Sequence, residues 1–326
     1  MKISTYIPSY SKDFFGYENP FDIFVAELLL QFLRKDHEIV QLDEDADVNL
    51  IFNHAGSIRG DVQNIAIVDN SIIPLITLSP TADLVLEKFK KIDTIIYRSS
   101  SAQTWGNRCF SKKSKEFIIP GGADLKSVGD WHASVAFQKP CGDIICSDDD
   151  LWVYTGYLYP ENGLRDSISY FFDNCIESST LIVLGDPESI RWEIFDEMTD
   201  KYGPDADHKV IQLAHPTEID VISAIAQCDK FINMSKLMYD PSIFYLASLL
   251  NKHIICSVNI EDQDILGNKF TILDKDFYPV LEKNDPSQGK DSMGIIENKF
   301  KHFLIEEVAE RYVSSIYTAL GSGGTR

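Results

Sequence analysis

Glycines that follow apolar segments are the residues of this sequence best suited to chemistry. The segment 151–163 reads LWVYTGYLYPENG, in which a predicted strand runs into Gly156 and a predicted helix begins after Gly163. A second predicted strand ends at Gly185, which Asp186 follows. Glycine lets the backbone approach an anion closely, and the amides at the start of the next helix attract negative charge. The spacing therefore predicts a site for a diphosphate group.

Predicted strands and helices alternate along the chain. The first half has short apolar runs that we predict as strands near 3–7, 38–42, 49–52, 65–68, 94–97 and 116–119. The second half has strands predicted at 151–157, 181–184, 210–213, 230–233 and 253–256, with helices near 164–175, 189–201, 218–228 and 241–251. Such alternation is typical of parallel sheets covered by helices on both faces. We predict an α/β fold of two Rossmann-like, doubly wound domains that face each other across a cleft.

The alternation fades between residues 121 and 150, which indicates a crossover between domains. We predict a first domain over 1–140 and a second over 141–302. A final helix over 303–320 carries a single apolar stripe, so we expect it to pack back on the first domain.

An acidic triplet at 148–150 lies in this crossover. It precedes a strand instead of ending one, so we interpret it as a solvated linker and not as a metal site.

Composition narrows the class of protein. The chain has 326 residues, 44% of them apolar, which suffices for two domains with separate cores. No apolar run is long enough to span a membrane and no signal-peptide pattern is present, so we expect a cytoplasmic protein. The formal charge of -20 opposes nonspecific attraction to nucleic acid, although basic residues gather between 88 and 115. The scattered cysteines predict free thiols.

Several short motifs occur in the order found in one enzyme family. Residues 119–124 read IPGGAD, 155–163 read TGYLYPENG, 184–188 read LGDPE, and 247–255 read ASLLNKHII. Together with Gly16 and the segment 35–40, KDHEIV, they resemble the GT-B glycosyltransferases, and among these the family 4 enzymes that use nucleotide sugars. The resemblance covers nearly the whole chain.

That resemblance implies a hexosyl- or pentosyltransferase that moves a sugar from a UDP- or GDP-sugar to an acceptor. It implies no metal and no cofactor apart from the nucleotide-sugar co-substrate. On the donor side it points to residues at strand ends and helix starts of the second domain: Gly156, Tyr157, Arg165, Gly185, Asp186, His215, Ser235, Lys236, Asp240 and Ser242. On the acceptor side it points to Ser9 and Tyr10, with Asp69 or His54 as catalytic base or sugar ligand.

Departures from the family pattern keep a second function open. Tyr157 and Asn162 stand where the family usually has an arginine and a lysine for the diphosphate. Met238 and Leu246 stand where it has the two glutamates of an E-x7-E element. The alternative is therefore a catalytically inactive GT-B protein that acts as a binding or complex-stabilising subunit.

A weaker resemblance concerns the acceptor. The segments 163–167, GLRDS, and 94–97, TIIY, are similar to stretches of the T-even phage DNA β-glucosyltransferases, in which an arginine at the place of Arg165 meets the donor phosphates. This resemblance implies transfer to hydroxymethylcytosine in DNA. The acceptor thus stays open between a glycan, a lipid-linked glycan and modified DNA.

Overall fold

The computed structural model describes residues 1–6, 30, 33–40, 45–52, 58–68, 82–92, 94–110, 115–119, 150–155, 163–185, 192–203, 206–214, 218–235, 242–257, 266–284 and 305–321. No helix within these ranges is both long enough and apolar enough to cross a membrane.

The described strands of the first half form one parallel sheet. They are β1 (Lys2–Tyr6), β2 (Glu38–Val40), β3 (Val48–Phe52), β4 (Gln63–Val68), β5 (Thr94–Tyr97) and β6 (Lys115–Ile118). Their order across the sheet is β2-β1-β3-β4-β5-β6. Helices α1 (Ala82–Phe89) and α2 (Ser100–Cys109) flank β5 in sequence. Every residue of β5 is buried, as expected for a strand covered on both faces.

The described strands of the second half form another sheet. They are β7 (Leu151–Thr155), β8 (Thr180–Gly185), β9 (Val210–Ala214), β10 (Lys230–Asn233), β11 (His253–Ser257), β12 (Lys269–Leu273) and β13 (Pro279–Asn284). Their order is β13-β12-β11-β10-β7-β8-β9, parallel except for the antiparallel pair of β12 and β13. The helices between them are α3 (Leu164–Asn174), α4 (Trp192–Tyr202), α5 (Ala206–Lys209), α6 (Glu218–Gln227) and α7 (Ser242–Leu249).

Two hydrophobic cores cover the two faces of the second sheet. On one face, Val153 and Ile182 pack with residues of α6 and α7. On the other face, Trp152 and Leu181 pack with residues of α3 and α4. The faces differ because successive residues of a strand point to opposite sides. The second half is therefore doubly wound.

The last helix in the described chain, α8 (Ile305–Ala319), packs on the first sheet. Val308, Tyr312 and Ile316 share a core with Ile3 and Leu50. The chain thus passes through the second sheet and returns to the first.

Polar side chains of the first sheet also hold α8. Lys115 Nζ donates to the carbonyl oxygens of Thr318, at 2.7 Å, and Ala319, and Gln63 Nε2 donates to Ala319 at 3.2 Å. The last carbonyls of a helix lack intrahelical donors and carry partial negative charge, so the Lys115 ammonium stabilises this helix end.

The predicted α/β fold with two doubly wound sheets is confirmed. The strands predicted at 94–97 and 230–233 have the observed bounds. Two strands, β12 and β13, and the helices α1 and α2 were not predicted. The domain boundary predicted at 140/141 lies outside the described residues.

Two interpretations of charged residues as solvated are wrong in part. Asp150 keeps only 17% of its side chain exposed and pairs with Lys230 at 2.9 Å. Arg98, within the basic region 88–115, is 5% exposed. Both residues belong to packed parts of their sheets.

Candidate functional site

The second sheet changes its direction of growth between β7 and β10. From β7 the chain adds β8 and β9 on one side, and from β10 it adds β11, β12 and β13 on the other. Lys230 pairs with Trp152 and Phe231 with Val153, so both strands end at the same level, at Thr155 and Asn233. Such a switch point leaves a crevice beyond the carboxyl ends of the strands, where open α/β sheets bind ligands.

Helix α3 begins at this crevice. Its N-cap residue, Gly163, has a left-handed backbone with φ of 73° and no side chain to cap the helix. An ideal Cβ atom at Gly163 would lie 2.7 Å from Ser235 N and closer still to the carbonyl group of Met234. Only glycine fits there, because both the backbone conformation and the space exclude a side chain. The first amides of α3 therefore lie against the segment that follows β10.

The sequence places α3 there by its apolar spacing. Leu164, Ile168 and Phe171 are buried and lie on one helix face, which packs on Trp152 and Tyr154 of β7. The amphipathic pattern thus fixes the helix on the sheet, and the helix start follows.

Asn233 links the ends of the two strands at the crevice. Its Nδ2 donates to the carbonyl oxygen of Thr155 at 3.0 Å, and its Oδ1 accepts from Ser235 N at 2.9 Å. Asn233 is 7% exposed, so both groups are paired inside the protein and not with bulk water.

Two serines hold the same segment from either side. Ser167 Oγ, on α3, accepts from Met234 N at 3.1 Å. Ser257 Oγ, at the end of β11, donates to the carbonyl oxygen of Ser235 at 2.6 Å. The backbone at Met234 and Ser235 is therefore held by α3, β10 and β11 together.

Charged residues lie in the first turn of α3 and on the neighbouring helix α4. Arg165, the second residue of α3, pairs with Glu197 of α4 at 2.7 Å, and about half of each side chain is exposed. Asp166 adds an acidic group in the same turn. A cation at a helix start favours an anionic ligand beside the unpaired amides.

A cysteine near the crevice is not suited to nucleophilic chemistry. Burial raises the pKa of the Cys256 thiol, which lies beside Asn233 in the register of β10 and β11. The thiolate is the reactive form of cysteine, so this residue serves packing.

The opposite, amino edge of the sheet holds a separate polar cluster. The carboxylate of Asp150 accepts from Lys230 Nζ at 2.9 Å, Trp152 Nε1 at 2.6 Å and Ser179 Oγ at 2.9 Å. Burial raises the pKa of Asp150, but these hydrogen bonds and the Lys230 charge outweigh burial and leave the pKa below its ordinary value of 3.8. Lys230 Nζ also lies 4.3 Å from the centre of the Trp152 ring. This cluster fixes the start of β7.

The first sheet has its own switch point, between β1 and β3. A buried polar row joins these strands to β4: Ser4 Oγ donates to Asn49 Oδ1 at 2.9 Å, and Asn49 Nδ2 donates to Asn64 Oδ1 at 2.9 Å. In the sequence, the predicted acceptor-side residues come after these strands: Ser9 and Tyr10 after β1, His54 after β3, and Asp69 after β4.

At the end of β5, Ser99 caps α2. Its side chain accepts from Ala102 N at 2.9 Å. Ser99 therefore has a structural role at the start of this helix.

The structure describes four of the predicted donor-side residues. Gly185 ends β8 and pairs with Ala214, Ser235 follows β10, Arg165 lies at the start of α3, and Ser242 is the first residue of α7. Two of the four, Arg165 and Ser235, lie in segments that contact each other. The start of α3 meets the segment of Ser235 through Gly163 and through the Ser167–Met234 hydrogen bond. The other predicted site residues lie outside the described residues: Ser9, Tyr10, His54, Asp69, Gly156, Tyr157, Asp186, His215, Lys236 and Asp240.

Sequence reasoning did not single out Asn233, Ser167 or Ser257 as donor-side residues. A polar residue that ends an otherwise apolar strand, as in KFIN at 230–233, was the available signal.

The sequence matches no protein-family model and no curated protein. Solved structures with a similar fold do exist. HepE from Anabaena, in complex with UDP and glucose, superposes with a TM-score of 0.65 at 11% identity, over 98% of this chain and 100% of HepE. A glycosyltransferase from Rickettsia africae gives 0.58 at 10% identity, over 99% of both chains.

A third structure is similar over the same length. WaaG, a glycosyltransferase involved in lipopolysaccharide biosynthesis, gives a TM-score of 0.58 at 11% identity, over 99% of this chain and 100% of WaaG. These neighbours are GT-B proteins, and the chain has the GT-B fold. The fold expected from the ordered motifs is confirmed.

Proposed function

We propose that the chain is a glycosyltransferase that moves one sugar from a UDP- or GDP-sugar to an acceptor held by the first domain. No metal and no cofactor beyond the nucleotide sugar take part. The observation that carries the proposal is the switch point between β7 and β10, where α3 begins at an uncapped glycine against the segment of Ser235. A diphosphate at that point accepts hydrogen bonds from the first amides of α3.

The structural neighbours support a nucleotide sugar as donor. HepE has been crystallised with UDP and glucose and with UDP-glucose. Its likeness to this chain lies in the fold, so the donor preference here rests on the crevice residues and requires measurement.

In the proposed reaction, the bond between the anomeric carbon and the diphosphate oxygen breaks, and its electrons stay on the diphosphate. The positive end of α3, with Arg165 and Lys236, stabilises that charge. Arg165 can serve in this way because a half-exposed ion pair such as Arg165–Glu197 is weak and easily exchanged. The acceptor hydroxyl forms the new bond to the anomeric carbon and gives its proton to Asp69 or His54.

The remaining predicted residues surround these groups. In this proposal the Ser242 amide contacts the diphosphate, and Tyr157, Asp186, His215 and Asp240 contact the nucleoside or the sugar. Ser9 and Tyr10 contact the acceptor. Closure of the two domains excludes water, which would otherwise hydrolyse the donor.

Modified DNA receives no support as the acceptor. Three of the described basic residues at 88–115 have structural roles or partners: Arg98 is buried, Lys90 pairs with Glu87, and Lys115 contacts the end of α8. The formal charge of -20 further opposes contact with phosphates.

A donor panel tests the proposal. Purified protein is incubated with UDP-, GDP- and TDP-sugars at millimolar concentration, and thermal stability and donor hydrolysis are measured. One nucleotide class should raise the melting temperature, since a ligand that binds only the folded state stabilises it by RT ln(1 + [L]/Kd). The same class should be hydrolysed slowly.

The panel also separates the alternatives. Stabilisation without hydrolysis or transfer to any acceptor would favour the inactive binding subunit. Neither stabilisation nor hydrolysis with any donor would contradict the proposal.

A further inference from the structure

Asn233 has an unusual place in its strand. The strand β10 reads KFIN and ends at Asn233. The two residues before Asn233, Phe231 and Ile232, are fully buried and apolar. The carboxamide of Asn233 is nearly as buried, which is costly unless both its groups are paired. Both are paired, and both partners are backbone atoms.

Those two backbone atoms belong to different segments of the crevice. Thr155 is the last residue of β7, and the chain continues from it into Gly156 and Tyr157. Ser235 follows β10, and the chain continues from it into Lys236. The Asn233 side chain therefore links two segments that, under the proposed function, contact the same diphosphate.

We propose that Asn233 is a positioning residue for the donor. It does not touch the reacting atoms; it holds the segment after β10 in register with the end of β7, so that a nucleoside diphosphate meets both at once. This inference rests on the proposed function. It extends that function by naming the group that orders the donor site before the donor binds.

The neighbouring contacts make Asn233 the adjustable link. Gly163 and Ser167 fix the segment after β10 against α3, and Ser257 fixes it against β11. Of these side-chain contacts, the one made by the Asn233 amide reaches the end of β7. Its loss removes this side-chain link at the ends of the two paired strands, while the backbone pairing of β7 and β10 and the other contacts remain.

Two substitutions separate a positioning role from a packing role. Asn233→Leu keeps the size of the side chain and removes both hydrogen bonds. Asn233→Asp keeps the acceptor for Ser235 N, and when protonated its hydroxyl donates to the carbonyl oxygen of Thr155. Thr271→Val is the matched control. Thr271 is equally buried, at 7% exposed, in the same sheet, and its hydroxyl bonds Nε2 of His253, the first residue of β11, at 2.9 Å and so not at the carboxyl ends of the strands.

The experiment is calorimetric titration of the full chain with UDP and with GDP from pH 5 to 8, alongside urea unfolding. Asn233→Leu should weaken nucleotide binding about tenfold or more at every pH, whereas Thr271→Val stays within about twofold of the wild type. The ratio of the Asn233→Asp dissociation constant to that of the wild type should fall as the pH is lowered, because protonation restores the second hydrogen bond. Other groups that titrate in this range affect the wild type and the variant alike, so their effect cancels in the ratio of the two dissociation constants.

Three outcomes of the titrations would contradict the positioning role of Asn233. If the wild type binds nucleotide and both Asn233 variants bind it equally well, Asn233 only packs and this inference is overturned while the proposed function stands. If the Asn233→Asp ratio does not change with pH, the two-hydrogen-bond link is not the cause and the inference is overturned. If the wild type binds neither UDP nor GDP, the proposed function and the inference both fall.

Discussion

Replacement of Gly163 by alanine tests how the structure builds the donor crevice. The new Cβ atom would lie 2.7 Å from Ser235 N and nearer to the Met234 carbonyl group, below the 3.0 Å that real Cβ atoms respect. Both neighbours are backbone, so no side-chain rotation relieves the clash. The start of α3 and the segment after β10 must separate by roughly 1 Å.

The expected cost has two parts. Alanine in the left-handed conformation costs about 1–2 kcal/mol. The steric displacement adds about 1–3 kcal/mol, typical of an overpacked site. The sum predicts a loss of about 2–5 kcal/mol in the free energy of unfolding, and a shift of this size should weaken nucleotide binding about 10- to 100-fold.

Gly203→Ala is the matched control. Gly203 also has a positive φ, of 91°, but nothing lies within 4 Å of its ideal Cβ atom. It therefore carries the conformational cost without the clash. Urea unfolding and titration with UDP and GDP on both variants isolate the effect of the contact with Met234 and Ser235.

Equal losses of stability in the two alanine variants would contradict a steric role for the contact of Gly163 with Met234 and Ser235. If Gly163→Ala binds nucleotide like the wild type, the start of α3 has no part in the site.

Three further predictions follow from other contacts. Asp150→Asn should lower the free energy of unfolding by about 1–3 kcal/mol near neutral pH. The difference from the wild type should shrink below about pH 4, because a carboxyl with a lowered pKa loses its stabilising charge as the pH falls through that pKa. Urea unfolding at a series of pH values measures this difference. Lys115→Met removes the ammonium at the end of α8 and should lower the free energy of unfolding by about 1 kcal/mol. Lys91→Met, at an exposed position, should lower it by less than about half as much, and urea unfolding of both variants measures the difference. Arg165→Ala should change the free energy of unfolding by less than about 1 kcal/mol but raise the KM for the donor about tenfold. Glu197→Gln should leave the KM for the donor unchanged or lower it. An unchanged KM in Arg165→Ala would show that Arg165 does not contact the donor.

Central strands were predictable because burial on both faces demands apolar residues at every position. Leu151–Thr155 and Thr94–Tyr97 are buried throughout, and each reads as a short apolar run. Helix α3 was predictable for a related reason, since its apolar residues recur at helical spacing.

Edge elements were not predictable by the same reasoning. Every residue of Pro279–Asn284 is exposed, so β13 has no apolar pattern and begins with a proline, which favours a loop interpretation. It is a strand because β12 pairs with it in an antiparallel hairpin. That pairing is a tertiary feature. By contrast, β12 is buried after its first residue and reads KFTIL, so the same reasoning as for the central strands applies to it although it was not predicted.

The candidate site was predictable only in outline. Gly163 stood out because glycine before a helix is a local signal, whereas the reason for glycine, contact with Met234, spans about seventy residues of sequence. The same holds for Asn233, whose partners at Thr155 and Ser235 come from separate strands. Side-chain hydrogen bonds across a switch point depend on strand order, which local patterns do not contain.

A crystal structure of the chain soaked with UDP, and a second with GDP, tests the central claim most directly. We predict density for a diphosphate within hydrogen-bond distance of the first amides of α3, beside Gly163 and Ser235. Nucleotide bound elsewhere on the protein, with that crevice empty, would contradict it.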